Sequence, residues 1–257
     1  MTVRQKTLYE GLEFNEITAE DAWCVIVLHD AEESYVELEY SAFLEDYMKV
    51  QLDGNSLFIG FTRYLNLPNN TVMNATIHTP SVQSIHFSDA VTAALDGQFP
   101  ETALTFELED AATCRGGHFY GNAELKLSDA ATCVEFYFEG TDCKVELEEA
   151  SVFKGSLNVS GDLTMDINEA SRLTNYWGEI NRAEVKVSDA SFLNMATCFI
   201  NSMNIEVNAA SEATVNVVET LEGSVLNVSK LYYSGNPTLN VNCDETSIVQ
   251  QVEFPNP

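Results

Sequence analysis

Six carboxylates stand at nearly equal intervals through the middle of the chain: Asp89, Asp110, Asp129, Glu149, Glu169 and Asp189. Brought into file, such side chains offer oxygen ligands to a hard cation, and Ca²⁺ is the ion that oxygen-rich groups of this kind suit. Glu109 and Glu148 are adjacent in sequence and would add oxygens. The plainer alternative is a solvated acidic edge that keeps other strands from docking. A second group is aromatic. Tyr120, Tyr137, Tyr176 and Trp177 recur at comparable places, with His118, Phe119, Phe136 and Phe138 as neighbours. In alternating strands some of these rings face solvent, where a flat aromatic platform suits a glycan or a protein surface. The alternative is a stack of rings filling a wide internal corner.

Other chemistries find less support. The cysteines are Cys24, Cys114, Cys133, Cys143, Cys198 and Cys243, with no C-x-x-C pair among them, so neither a zinc nor a redox motif is indicated. Cys114 and Cys133 share one inward slot, where cysteine packs as a small hydrophobe; free thiols are favoured over a stacked disulfide. Ser151, Ser171, Ser191 and Ser211 have no adjacent histidine, which leaves no nucleophile–base arrangement and suits hydrogen bonding in bends. Arg115 and His118, in RGGH, lack convincing partners. Carboxylate pairs can hydrolyse glycosides, but a catalytic site ordinarily interrupts a repeat and these acids follow one. Polysaccharide lyase or hydrolase activity is therefore the weaker alternative to a non-catalytic role.

The elements that must position these residues are legible in a recurring phrase: IHFSDA, FELEDAA, LKLSDAA, VELEEAS, MDINEAS, VKVSDAS, IEVNAAS. Its alanines are Ala90, Ala111, Ala130, Ala150, Ala170, Ala190 and Ala210, at steps of 21, 19, 20, 20, 20 and 20 residues. A period this regular marks stacked units, none of which can bury its apolar face alone. Five and three positions before each alanine the residues are apolar, from Ile85 and Phe87 to Ile205 and Val207, with a mostly polar residue between them. That alternation of period two is a strand with one buried face. Three positions after the alanine comes another inward residue: Ala93, Cys114, Cys133, Phe153, Leu173, Leu193 or Ala213. Strand, bend, strand and return in about 20 residues is one coil of an all-β, parallel β-helix. The leucine–asparagine signature of leucine-rich repeats is missing. So is the glycine–aspartate nonapeptide of calcium-binding rolls. Stacking places Lys126 between Glu107 and Glu146, and Lys186 between Asp166 and Glu206.

The 257 residues fit one elongated solenoid, and the net charge of −28 with a pI near 4.1 argues against nucleic acid or anionic membrane surfaces as partners. No apolar run reaches 18 residues, so membrane insertion is not expected. The opening MTVRQKTLYEGLEF lacks the apolar core of an export signal. Residues 1–10 read as a tail or cap. Residues 11–70 read as irregular coils or a small capping sheet, with TRYLNLPNN as a long loop. Regular coils run through 71–245, and 246–257 form a C-terminal tail. YYSGNP and the closing FPNP are expected to cap the far end.

Several of these phrases together resemble a known family. They are Phe14 and Ile17 leading into Trp23, Val25 and Val27; Pro80 leading into Ile85; the iterated SDAS; and YYSGNP. The chain resembles, from about 12 to 245, the auto-transporter adhesin family with a head GIN domain, found largely in Bacteroidetes. The resemblance implies a single-stranded right-handed β-helix, a location in the cell envelope, periplasm or outside the cell, and a glycan or protein as ligand. Self-association into a scaffold is the alternative role. The family brings no catalytic residues. Where it commonly carries glycine, in S-G-A-S, this chain has Asp89, Asp110, Asp129, Glu149, Glu169 and Asp189, then Ala209 and Lys230. Because glutamate adopts left-handed backbone poorly, the bend is expected to be ordinary backbone or a differently shaped turn.

Overall fold

The structure is a computed structural model and describes residues 2–30 and 32–254. It is an all-β solenoid. Its regular coils are single long strands that wrap from one bend to the next: β9 (Thr92–Leu108), β10 (Thr113–Leu127), β11 (Thr132–Leu147) and β12 (Val152–Ile167). In the next coil the wrap is divided into β13 (Arg172–Asn175) and β14 (Glu179–Val187); β15 (Phe192–Val207) and β16 (Glu212–Val225) are continuous again. Neighbours are parallel and in register with the repeat, Leu125 beside Val145, then Met165, Val185 and Ile205. All five are buried, and burying each such side chain contributes about 1.5–3 kcal/mol before entropy is counted.

Inside the wide corner runs a spine of rings. Phe99 stacks on Phe119 at 4.8 Å, Phe119 on Phe136 at 5.2 Å, and Phe136 meets Phe153 edge-on at 5.8 Å. Strict alternation from Cys133 would turn Phe136 outward. A bulge at Glu135, with φ of 56° and a register shift between Val134 and Phe136, changes the parity, so Phe136 and Phe138 point in and Tyr137 points out.

The bends are one column. Each is a pair of left-handed residues, from Asp21 (φ 63°) and Ala22 (58°), through Asp89 (51°) and Ala90 (61°), to Asn227 (58°) and Val228 (66°). The alanine N–H of one coil donates to the carbonyl of the acidic residue in the next: Ala90 to Asp110 at 2.9 Å, Ala130 to Glu149 and Ala150 to Glu169 at 2.8 Å. The expectation of ordinary backbone is thus corrected. Glutamates do adopt the left-handed region here, at 54° for Glu149 and 53° for Glu169, because each bend inherits its hydrogen-bond pattern from the coils on either side. Lys230 is not in the column. The last bend falls at Asn227–Val228, and Lys230 opens the following strand.

The column has a member outside the regular phrase series. Asp21–Ala22 lies between β2 (Glu16–Ala19) and β3 (Cys24–His29), and the Ala22 N–H donates to the Asp89 carbonyl at 2.8 Å. The order in space is not the order in sequence. After β1 (Val3–Leu8), β2 and β3, the chain runs through β4 (Tyr35–Ser41) and the hairpin β5 (Met48–Asp53)–β6 (Ser56–Phe61) to β7 (Met73–Thr79), with 62–72 as the loop. β6 and β7 pair with one side of β2 and β3, while β8 (Ser84–Phe87) and β9 pair with the other. β4 runs antiparallel between β1 and β7. The stretch 11–70 therefore mixes parallel coil strands with an antiparallel covering. Trp23, Leu44 and Leu57 are buried there.

At the other end YYSGNP is not a cap: its first residues belong to a coil strand. β17 (Lys230–Ser234) and β18 (Thr238–Cys243) continue the solenoid, and β19 (Ile248–Gln251), within the supposed tail, pairs with β17. Of the closing FPNP, residues 255–257 lie outside the described residues.

Candidate functional site

The repeat is broken where β13 gives way to β14. Asn175 is buried and turns its amide back into the coil. Its Oδ1 accepts from the Leu157 N–H at 2.8 Å, and its Nδ2 donates to the Leu157 carbonyl at 3.3 Å. One side chain thus occupies both backbone groups of Leu157 and takes the place of a ladder pair, as a buried amide must when it is satisfied. Gly178 then passes so close that a Cβ there would lie 1.9 Å from the Leu157 carbonyl oxygen. Between these two fixed points the chain pushes outward, and Tyr176 and Trp177, consecutive residues, are both about half exposed, at 52% and 49%. The protrusion is pinned: the Tyr176 N–H donates to the Gly155 carbonyl at 2.7 Å, and Thr197 Oγ1 donates to the Tyr176 carbonyl at 2.7 Å.

In the next coil Phe199, 46% exposed, donates its N–H to the Gly178 carbonyl at 2.9 Å. Phe199 also lines a groove of about 790 Å³ with Asn216, Ser234, Gly235 and Gln251. On the near side, Tyr137 is 49% exposed and stands in register with His118 and Ser156. Tyr120 is only half-buried and stacks on His118 at 4.5 Å; His118 lies 6.1 Å from Tyr137. The predicted aromatics therefore lie as two patches. Tyr120 and Tyr137 meet through His118, while Tyr176 and Trp177 stand two coils on, across Ser156.

The predicted acidic column is in file, and within it Glu149 meets Asp129. Glu149 has its carboxyl held above the usual glutamate range, first by a hydrogen bond with Asp129 and that residue's charge, then by desolvation, Glu169 and Glu148. At the far end Asp244 is pulled down to about 2, chiefly by the Asn227 N–H and the Ser247 hydroxyl. Among the described residues, three donor atoms converge at His86, Glu107 and Glu109, the last being next in sequence to Asp110 of that column.

The remaining singled-out residues have structural partners. Arg115 Nε meets Glu135 Oε2 at 2.5 Å. Cys114 and Cys133 are adjacent, buried and free, and burial pushes the Cys114 thiol up to about 12. The serines bond from one bend to the next: the Ser151 N–H donates to Ser171 Oγ at 3.2 Å, and the Ser191 N–H to Ser211 Oγ at 3.1 Å. Lys126 and Lys186 stand in the predicted register, and Lys144 on that face lies 2.8 Å from both Glu124 and Glu146.

Sequence reasoning missed Asn175, Gly178 and Phe199. The available signal was the N-Y-W-G stretch, which interrupts strand alternation with a polar residue, two large rings and a glycine.

Comparison with known proteins agrees with this architecture. Among curated proteins none matches the chain. A putative adhesin from Parabacteroides merdae superposes with a TM-score of 0.69 at 12% identity, covering 98% of this chain and 96% of that one. A putative lipid binding protein from Parabacteroides distasonis gives 0.69 at 12% identity, covering 98% and 97%. A putative adhesin from the same organism gives 0.66 at 13%, again covering 98% and 97%. At these identities the likeness speaks for the fold alone. Over residues 13–237 the sequence matches a family model, and the chain belongs to the family described as putative auto-transporter adhesin, head GIN domain.

Proposed function

We propose that the chain is a non-catalytic, adhesin-like protein of the cell envelope or cell exterior that binds a glycan or protein ligand on the aromatic corner. Tyr176 and Trp177 form the centre, Phe199 and the adjoining groove extend it, and Tyr137 with Tyr120 forms a second patch. One observation carries this reading. The solenoid gives up its ladder at 175–178 and uses a buried amide and a close glycine to hold two consecutive rings in water. Exposed aromatic surface held in place in this way favours recognition over folding. The acidic column serves as a solvated edge.

Trp177 reports on its own site, because the other tryptophan, Trp23, is fully buried. The wild type and a Tyr176→Ala/Trp177→Ala variant are applied to arrays of glycans and of surface proteins; binding of both is read on the arrays, and that of the wild type also by Trp177 fluorescence. Wild-type binding with a shifted Trp177 signal, lost in the variant, is the expected result. Equal binding by both would remove the corner from the proposal.

A second reading, self-association, is favoured by one feature. No further strand pairs beyond β18 and β19 among the described residues, and Leu239 and Ile248 are exposed there. An open edge of this kind is a template for another strand. Mass rising with concentration, and held down by Leu239→Lys, would support it.

A further inference from the structure

We infer that His86, Glu107 and Glu109 form a binding site for a borderline divalent transition-metal ion of the Zn²⁺ class, joining the first coil after the chain crossing to the regular stack. One ligand atom from each residue lies within 4.8 Å of the other two. His86 Nδ1 and Glu107 Oε2 are 3.0 Å apart. Metal–nitrogen and metal–oxygen bonds of ~2.0–2.2 Å place tetrahedral donors roughly 3.3 Å apart, so small side-chain rotations complete the set.

Placement comes from the sheet. Parallel pairing sets His86 of β8 directly beside Glu107 of β9, and Glu109 follows two residues later on the same outer row. All three are partly exposed, so an ion can enter while keeping water as its remaining ligand. One neutral imidazole with two carboxylates suits Zn²⁺; imidazole is not a ligand that Ca²⁺ favours.

On the side of the preceding coil the surroundings are acidic. Glu20, beyond the residue paired with His86, has its carboxyl raised by partial burial and then by Asp21 and Asp89, with only His86 and Lys49 acting the other way. Lys126 stands in register beside Glu107, and Lys144, which pairs with Glu124 and Glu146, lies two coils further up that face.

The test is calorimetric titration of the whole chain with Zn²⁺, and separately with Ca²⁺, at about 0.15 M salt to screen dispersed carboxylates. Visible spectra with Co²⁺ report the geometry. One Zn²⁺ per chain, a tetrahedral cobalt spectrum, and loss of at least tenfold in affinity in both His86→Asn and Glu109→Gln are expected. Glu149→Gln, in the bend column, should bind as the wild type does. Absence of saturable binding would overturn the site. So would binding of several ions indifferent to His86→Asn. A Glu109→Gln variant that folds and binds normally would remove Glu109 and the three-donor site with it.

Discussion

Two corners of the same solenoid obey opposite rules. At the bend column each coil repeats the last, left-handed pair on left-handed pair, with the alanine N–H always reaching the next coil's carbonyl. At the aromatic corner the coils differ: a bulge at Glu135, an inserted amide at Asn175, a groove beside Phe199. A stack holds a costly backbone conformation in place when every neighbour shares it. It tolerates a departure only where specific side chains replace the lost ladder bonds. Repetition here buries the side chains, and departure leaves Tyr176, Trp177 and Phe199 half in water.

The largest effect expected from breaking this contrast is at Gly178. Gly178→Ala sets a methyl against the Leu157 carbonyl oxygen, a backbone wall that cannot swing aside, and should cost about 3 kcal/mol in denaturant unfolding. A stability change within ~0.5 kcal/mol would mean that the corner relaxes freely and is not pinned.

The bend column should respond in the other direction. Glu169 sits at φ 53°, in a region that costs an L-residue about 1–2 kcal/mol and glycine almost nothing. Glycine's extra chain entropy takes back about 0.5–1 kcal/mol. Glu169→Gly should therefore stabilise by about 0.5–1 kcal/mol, read as a rise in Tm. A fall would show that the carboxylate contributes something the geometry does not reveal.

Titration separates the middle of the column from the turn that follows its last bend. Glu149 is raised in the folded chain, so its contribution is fully present below the ordinary glutamate value and is lost as pH rises through the folded one. Glu149→Gln should remove that slope and leave the variant the more stable at neutral pH. Asp244 is lowered to about 2; its contribution is present above the ordinary aspartate value and disappears as pH falls through about 2. Asp244→Asn should abolish only the acid-side loss. Melting curves from pH 2 to pH 8 check both, and slopes of equal sign would contradict the assignment.

The smallest expected effect on stability is at the proposed binding centre. Trp177→Ala removes a ring that is half in water, and its unfolding free energy should change by no more than ~0.5 kcal/mol. A large loss in urea unfolding would show the ring to be packing material instead.

Much of the stack was legible because its code is local. The period of 20, the inward rows ending at Phe87 or Ile205, and the shared slot of Cys114 and Cys133 follow from alternation alone. The break at Asn175 was not legible, since nothing in an isolated asparagine says that its amide will meet Leu157, 18 residues earlier. The aromatic residues were found, but their grouping was not, because the Glu135 bulge resets parity within β11. The N-terminal order was hidden as well: Asp21 and Asp89 are neighbours in the column with six strands, β3 to β8, between them.

By itself, then, the sequence determined the coil, its length, its apolar interior and its acidic edge, because each depends on a short pattern repeated many times. The tertiary structure decided the left-handed form of the bends, the placing of β2–β3 between the coils on either side, the outward thrust of Tyr176 and Trp177, and the meeting of His86 with Glu107 and Glu109. Each of these depends on which coil lies next to which, and that is fixed by hydrogen bonds between coils and not by any single stretch of chain.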